Sequence, residues 1–296
     1  MDRPGPGDRS GGPARFFQDV EKEIMMRIEV FGLTDVGTKR ELNEDNFLCL
    51  ALPRTPFEAK DDFFFLVVAD GIGGHSGGAT ASALAVQSVR DGMLNRLDGE
   101  PPPMVFQSLL DESFHSANRR IFEKASRENE YFGMGTTLVA AVLLEEKAFI
   151  ANVGDSRAYH IRQGEINQIS RDHSWAAEQR RVKGLSEQDI LSSPYKNMIT
   201  RSLGFGPDVE VDHFNHEMDD EDYLLLCTDG LYGVLDDKTI LKIFRKRKNP
   251  MDISRQLIRS ANQMKSDDNV TAVVAHWRGI PPKKRPLSDT VRLKVK

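Results

Sequence analysis

The sequence predicts an α+β protein with a central sandwich of two antiparallel β-sheets that is flanked by α-helices. Apolar runs of about five to eight residues, bounded by turn residues, recur along the chain and are typical of buried strands. Several runs follow one another with only a short turn between them, such as Glu145-Glu146 or Gln163-Gly164. Short turns join antiparallel neighbours, whereas parallel strands need a helical crossover. Helices outside two packed sheets are then the simplest arrangement.

The predicted strands follow these apolar runs in chain order. They span about residues 27–35, 46–51, 63–69, 137–144, 147–153, 156–162, 209–216, 222–228 and 269–276. Three amphipathic helices are predicted from apolar residues at helical spacing. One spans 103–127 and another spans about 76–96. The apolar face of the third is formed by Ile253, Leu257, Ile258, Ala261 and Met264.

Bulk properties favour a large soluble domain. The 296 residues are 39% hydrophobic and 29% charged. No run approaches the ~18 apolar residues of a membrane helix, so no membrane association is expected. The N-terminus lacks the apolar core of a secretion signal. The two cysteines, Cys49 and Cys227, lie far apart in apolar stretches and fit buried thiols of a reducing compartment. We therefore expect a cytoplasmic protein.

The chain divides into one folded domain and two tails. We expect a disordered N-terminal extension over residues 1–22, a domain over 23–279 and a basic C-terminal tail over 280–296. Residues 172–200 are polar and lack a strong apolar stripe, so they are interpreted as an inserted flap. The net charge is −5 although the C-terminal end is basic, so the body of the chain is acidic. An acidic body does not indicate nucleic-acid binding and would concentrate divalent cations.

Three aspartates lie at the ends of predicted buried strands. Asp70 and Asp229 each follow an apolar run and precede a glycine, and Asp268 lies two residues before the last run. Carboxylates with water suit Mg²⁺ or Mn²⁺, whereas Zn²⁺ prefers His and Cys. Taken singly, each acid is better explained as a strand-end turn residue or a helix cap than as a metal ligand. Together they predict a two-ion site that activates a water and binds a phosphate.

Three other residues are candidates for phosphate binding, proton transfer or binding of a further ion. Arg40 lies in a turn and could bind a phosphate with its planar donors, or could pair with Glu44 or Asp45 on the surface. His75 lies in a glycine-rich loop and could donate a proton, or could cap the next helix. Asp155 could bind a further ion.

Covalent catalysis has little support. No serine, histidine and acid occur at a spacing typical of a triad, and neither cysteine has basic neighbours in the sequence. Arg157, two residues after Asp155, is expected to be the structural partner of that acid rather than a catalytic residue.

The ordered set of motifs resembles the bacterial metal-dependent protein serine/threonine phosphatases of the type 2C class, also called the PPM family. The resemblance covers about residues 28–276. The motifs are Asp35-Val36-Gly37 with Arg40 and Asn43-Glu44-Asp45, Val68-Ala69-Asp70-Gly71-Ile72-Gly73-Gly74-His75, Gly135-Thr136-Thr137, Val153-Gly154-Asp155-Ser156-Arg157, Leu226-Cys227-Thr228-Asp229-Gly230-Leu231 and Asp267-Asp268-Asn269-Val270-Thr271.

The resemblance implies two Mn²⁺ or Mg²⁺ ions at one end of the sandwich. Asp70 would bridge the ions and Gly71 would contribute its carbonyl oxygen. Asp229 and Asp268 would complete the shell of the first ion, and Asp45 would act through metal-bound water.

For bacterial members, the resemblance also implies a third, weaker ion site between Asp155 and Asp229. Arg40 would bind the substrate phosphate, and the role of His75 is left open. Gly230 is expected to serve turn geometry only.

The implied activity is hydrolysis of phosphoserine and phosphothreonine in proteins by direct attack of a metal-bridging water or hydroxide. A monomer that reverses a bacterial Ser/Thr kinase is the expected setting. Two alternatives stay open: a non-catalytic regulator that binds a phosphoprotein or kinase, and a phosphatase of an anti-sigma-factor antagonist.

Overall fold

Two five-stranded antiparallel sheets form the centre of the protein. The computed structural model describes residues 25–52, 63–73, 77–95, 103–182, 184–196 and 198–280. The predicted N-terminal extension lies outside the described residues, as does the predicted C-terminal tail apart from its first residue. His75 lies outside them as well.

Twelve strands are found in this described part of the chain. They are β1 (Met25–Asp35), β2 (Asn46–Leu52), β3 (Phe63–Ala69), β4 (Gly71–Ile72), β5 (Gly135–Thr136), β6 (Leu138–Leu144), β7 (Lys147–Val153), β8 (Arg157–Arg162), β9 (Glu165–Gln168), β10 (Asp212–Glu217), β11 (Tyr223–Cys227) and β12 (Val270–Ile280). The first sheet has the order β1-β12-β11-β8-β9 and the second has the order β10-β7-β6-β3-β2. The short strands β4 and β5 pair separately.

Helices cover the outer faces of both sheets. They are α1 (Gly77–Leu94), α2 (Pro103–Arg127), α3 (Trp175–Val182), α4 (Glu187–Ser192), α5 (Asp229–Tyr232), α6 (Asp237–Lys246) and α7 (Pro250–Gln263), with a short 3₁₀ helix at Asn129–Tyr131. Helices α1 and α2 pack on the second sheet, and α6 and α7 pack on the first. The layers are therefore helix, sheet, sheet, helix, as the sequence predicts.

Strand alternation explains why the apolar runs are continuous. In β3, Phe65 and Val67 pack toward α1 and α2, whereas Leu66 and Val68 pack toward the other sheet. Both faces of this strand are buried, so no polar alternation is required. All four of these side chains are fully buried.

The two sheets are tied together by Trp277 of β12. Its side chain is fully buried between the sheets. Its indole Nε1 donates a 2.7 Å hydrogen bond to the carbonyl oxygen of Glu145, in the turn between β6 and β7. A tryptophan buried with its N–H satisfied contributes both packing and orientation.

Several element boundaries differ from the sequence prediction. The strand expected over 209–216 starts at Asp212, because its partner β7 ends at Val153, one residue beyond the Asp212–Asn152 pair. Strand β9 and helices α5 and α6 were not predicted. Residues 172–200 contain α3 and α4, and the ends of this segment meet where Ser174 pairs with Ile199.

No helix in the described part of the chain is long and apolar enough to cross a membrane.

We expect Trp277→Ala to lower the free energy of unfolding by about 3–5 kcal/mol, because it leaves a cavity between the sheets. Trp277→Phe retains an aromatic ring but loses the hydrogen bond to Glu145, and should cost less. Urea denaturation in the presence of chelator measures both variants. Equal stability of Trp277→Ala and the wild type would contradict this role for Trp277.

Candidate metal centre

The acids predicted as metal ligands lie at one end of the sandwich. Asn46 pairs with Ala69, so Asp45 at the start of β2 and Asp70 at the end of β3 lie at the same edge of the second sheet. These two acids therefore become neighbours through strand register, although 25 positions separate them in the sequence.

The same reasoning places the other acids. Strand β7 ends beside the start of β6, which brings Asp155 to this end. In the first sheet, β11 ends where β12 begins, so Asp229 and Asp268 lie at the matching end. The negative charges of the other four acids all act on Asp70 and raise its pKa. These acids are Asp45, Asp229, Asp155 and Asp268. The structure thus brings together all five predicted acids.

The backbone of Asp70 is fixed by two threonines. Its carbonyl oxygen accepts hydrogen bonds from the Thr137 N–H at 2.9 Å and from the Thr136 hydroxyl at 2.7 Å. Its own N–H donates to Thr137 Oγ1 at 3.0 Å. Gly71 follows in β4 and donates its N–H to the Glu44 carbonyl at 3.2 Å. A side chain at Gly71 would collide with the Gly78 carbonyl, so glycine is required for this close approach.

Asp45 joins the two sheets. Its Oδ2 accepts hydrogen bonds from the hydroxyls of Thr228 at 2.8 Å and Thr271 at 2.7 Å, both of which belong to the opposite sheet's end. Its Oδ1 is buried and has no hydrogen-bond partner. The carboxylate is therefore held in one orientation with one oxygen left for another ligand.

Asp229 is the first residue of the four-residue helix α5. Its Oδ1 is also buried without a partner. Gly230 lies in this helix, not in a turn, and a side chain there would collide with the Asn269 carbonyl. The expectation of turn geometry alone is therefore wrong: Gly230 allows α5 to contact the loop that carries Asp268.

Burial of these acids disfavours their charged forms. Burial raises the pKa of Asp45 to about 7, and the charges of Asp229 and Asp268 contribute to the rise. Burial and then the charge of Asp229 raise the pKa of Asp155 to about 7. The pKa of Asp70 rises well above its ordinary value for the same reasons. These carboxylates also repel one another.

Arg40 is the cation that pairs with this cluster. Its Nη2 donates to Asp268 Oδ2 at 2.7 Å, and its Nη1 lies 3.8 Å from Glu44 Oε2. About 46% of the Arg40 side chain is exposed, so the guanidinium is at the rim of the acid cluster. The sequence left open a pairing with Glu44 or Asp45; the pairing with Glu44 is present, and a shorter ion pair forms with Asp268.

Arg157 does not act as the partner of Asp155. Its Nη2 donates to Asp172 Oδ2 at 2.6 Å, its Nε donates to the same carboxylate, and its guanidinium stacks 3.6 Å from the centre of the Tyr232 ring. The expected pairing is therefore wrong, because the chain returns after β9 and places Asp172 beside the start of β8.

Glu44 is a site residue that sequence reasoning missed. Its side chain is largely buried, and its Oε1 has no hydrogen-bond partner. Burial raises its pKa, against the opposing charge of Arg40. It belongs to the Asn43-Glu44-Asp45 motif, so the sequence did indicate its position, but only packing shows that it is buried.

The donor set fits a hydrated divalent cation. Unpartnered buried oxygens of Asp45 and Asp229 are suited to a hard ion that neutralises the cluster. No three His, Cys, Asp or Glu side chains within the described ranges are already gathered around one point. A Mg²⁺-like ion binds through one or two carboxylates and keeps several waters, so it does not need such a closed cage.

Comparison with known proteins settles the family. Residues 30–270 match the family model described as protein phosphatase 2C. The chain belongs to the protein phosphatase 2C family. The serine/threonine phosphatase stp of Listeria welshimeri is 34% identical over 244 residues, which cover 81% of this chain and 92% of that protein. The protein phosphatase PhpP of Streptococcus pneumoniae is 30% identical and covers 83% of this chain and 96% of its own length.

Solved structures of this family share the fold. The S. agalactiae serine/threonine phosphatase has a TM-score of 0.76 at 31% identity and covers 84% of this chain and 99% of its own. The Mycobacterium tuberculosis phosphatase PstP/Ppp has a TM-score of 0.73 at 28% identity and covers 85% of this chain and 99% of its own. The predicted family, fold and phosphatase class are confirmed. The protein phosphatase 2C family is metal-dependent, generally with Mn²⁺ or Mg²⁺.

We expect Asp45→Asn to raise the free energy of unfolding of the chelated protein by about 1–3 kcal/mol at pH 8. In the wild type, the Asp45 pKa rises from 3.8 to about 7 on folding, so the folded protein holds this proton more tightly. Stability therefore falls as the pH rises from about 4 to 7, and the asparagine variant does not share that part of the fall.

Urea denaturation across this pH range measures the difference, with the exposed Asp237→Asn as the matched control. An asparagine variant less stable than the wild type at pH 8 would show that the Asp45 charge is compensated in the metal-free protein.

Proposed function

We propose that this protein hydrolyses phosphoserine and phosphothreonine in other proteins with two Mn²⁺ or Mg²⁺ ions at the Asp70 centre. The observation that carries the proposal is the cluster of buried, mutually repelling carboxylates with an arginine at its rim. Such a cluster is costly in an isolated fold and is favourable around divalent cations. The membership of this chain in the protein phosphatase 2C family supports the same activity.

The residues have separate roles in this proposal. Asp70 and the Gly71 carbonyl would hold both ions, Asp229 and Asp268 would complete the shell of one of them, and Asp45 would act through bound water. When bound, the ions would supply an activated water and neutralise charge on the phosphate. The fixed orientation of Asp45 by Thr228 and Thr271 would limit the motion of that part of the site.

Asp155 would contribute to a third, weaker ion site together with Asp229. Both acids are buried, and the charge of Asp229 is the second cause of the raised pKa of Asp155, after burial. A shared cation would relieve that repulsion.

Arg40 would bind the substrate phosphate. Its planar fork of donors matches two phosphate oxygens, and its half-exposed position leaves room for a ligand. Arg40 pairs with Asp268 in this structure, and a cation held by Asp268 would weaken that attraction and leave the guanidinium available to a phosphate. His75 would donate a proton to the leaving oxygen.

We place the enzyme in the cytoplasm as a monomer that opposes a Ser/Thr protein kinase. Relatives named serine/threonine phosphatase support the substrate class. An antagonist of an anti-sigma factor would be a substrate of the same chemistry and is included in this class.

We expect Asp229→Asn to lower kcat/KM on a phosphothreonine peptide with Mn²⁺ by at least ~100-fold, because the variant removes a metal-binding charge while keeping the shape of the side chain. Phosphate release under steady-state conditions measures this. Chelator should stop the wild-type reaction, and added Mn²⁺ should restore it.

The matched control is Asp237→Asn, which removes the charge of an exposed aspartate that also lies in the first turn of its helix. It should retain wild-type activity. Wild-type turnover by Asp229→Asn would remove this aspartate from the proposed site, and no phosphate release by the wild type with any divalent cation would refute the proposed function.

A further inference from the structure

A second concave site lies beside the metal centre. It is a cavity of about 640 Å³ between the start of β8, the chain that follows β9, and helix α3. Its wall contains five arginines and four acidic residues. The arginines are Arg157, Arg171, Arg180, Arg181 and Arg201.

The cavity and the acid cluster share a wall. His173 lines the cavity, and its Nδ1 accepts a 3.0 Å hydrogen bond from the N–H of Gly154, the residue before Asp155. Arg157 stacks on Tyr232, whose hydroxyl donates a 2.9 Å hydrogen bond to the Asp155 carbonyl. A ligand in the cavity would therefore be close to a phosphate at the metal centre.

Acidic residues of the cavity wall are already engaged. Asp172 accepts from Arg157, and the Glu178 carboxylate accepts a 2.6 Å hydrogen bond from the Thr200 hydroxyl. Glu210 and Asp212 both pair with Arg201, at 2.8 and 2.9 Å. Three of the four acids are therefore paired with Arg157 or Arg201.

Two of the arginines have no partner. Within the described ranges, the side chains of Arg171 and Arg181 make no hydrogen bond or ion pair, and both residues are exposed. Arg171 follows the β8–β9 hairpin, and Arg181 lies in the last turn of α3. They reach the same cavity from two different elements, which is the arrangement needed to grip one anion from two sides.

We propose that this cavity binds a second acidic group of the phosphoprotein substrate, either a carboxylate or another phosphate near the residue that is hydrolysed. The inference rests on the proposed function and names its substrate class: phosphorylated segments rich in acidic residues. Arg171 and Arg181 would provide the charge-assisted hydrogen bonds, because within the described ranges their side chains have no other hydrogen-bond or ion-pair partner.

The second acidic group is expected within a few residues of the phosphothreonine, because the cavity and the acid cluster share a wall. An extended chain advances about 3.3–3.6 Å per residue. A panel of phosphothreonine peptides can therefore place one glutamate, or one phosphoserine, at each of the four positions on either side of the phosphothreonine. A peptide with alanine at all of these positions is the neutral reference.

We expect at least one position of the acidic group to lower KM by about tenfold relative to the neutral peptide, with kcat little changed. Arg171→Ala/Arg181→Ala should lose this gain and keep the wild-type rate on the neutral peptide and on p-nitrophenyl phosphate, which is too small to reach both sites. If phosphoserine lowers KM more than glutamate does, phosphate is the preferred anion. If both lower KM equally, negative charge is the shared requirement.

The matched control is Arg255→Ala/Arg259→Ala, which removes two exposed arginines from α7 on the other face of the molecule. This control should keep the tenfold gain. A charge-reversed variant, Arg171→Glu/Arg181→Glu, should instead favour the peptide with lysine at the same position.

Two outcomes would overturn the inference: a wild type that treats all peptides alike, or an acidic gain that survives the loss of both arginines. Either result leaves the proposed function standing, because hydrolysis of the neutral peptide tests that separately.

Discussion

The burial of several like-charged carboxylates in one cluster constrains the rest of the fold. Asp45, Asp70, Asp155 and Asp229 are all largely removed from water, and burial is the first cause of the raised pKa of each. This cost lowers the stability of the metal-free fold, and a bound divalent cation would offset it. The acids stand at strand ends because a sheet can hold a backbone rigidly while leaving the next side chain outside the ladder. The catalytic proposal therefore follows from the same feature that weakens the metal-free protein.

The sandwich supports this arrangement by making both sheets contribute to one site. Thr228 and Thr271 donate from one sheet to Asp45 of the other, so a shift between the sheets would break two hydrogen bonds. Glycines then allow the loops to approach: Gly71 contacts the Gly78 carbonyl and Gly230 contacts the Asn269 carbonyl without a side chain between them. Packing far from the site, such as that of Trp277, acts on the site by fixing the distance between the sheets.

Much of this could be predicted from the sequence, because strand ends are visible as the points where apolar runs meet Asp-Gly. Asp70 and Asp229 were found in that way, and the long helix α2 was predicted with its observed limits. Contacts that depend on the tertiary fold could not be predicted in this way. Asp172 contacts Arg157 only because the chain turns back after the β8–β9 hairpin. The same holds for the arginine cavity. Arg171 and Arg181 have no spacing that indicates a common ligand, and only the packing of α3 beside β8 places them around one space.

The proposed role of the carboxylate cluster is to bind divalent cations. Anomalous diffraction from crystals grown with Mn²⁺ tests it most directly, because the manganese signal locates the ions without reference to activity. We expect two strong peaks that share Asp70 and lie within about 2.5 Å of its carboxylate oxygens, one of them also beside Asp229 and Asp268. We also expect the ion pair between Arg40 and Asp268 to lengthen. Crystals that show no peak at Asp70, with manganese bound only elsewhere on the surface, would contradict it.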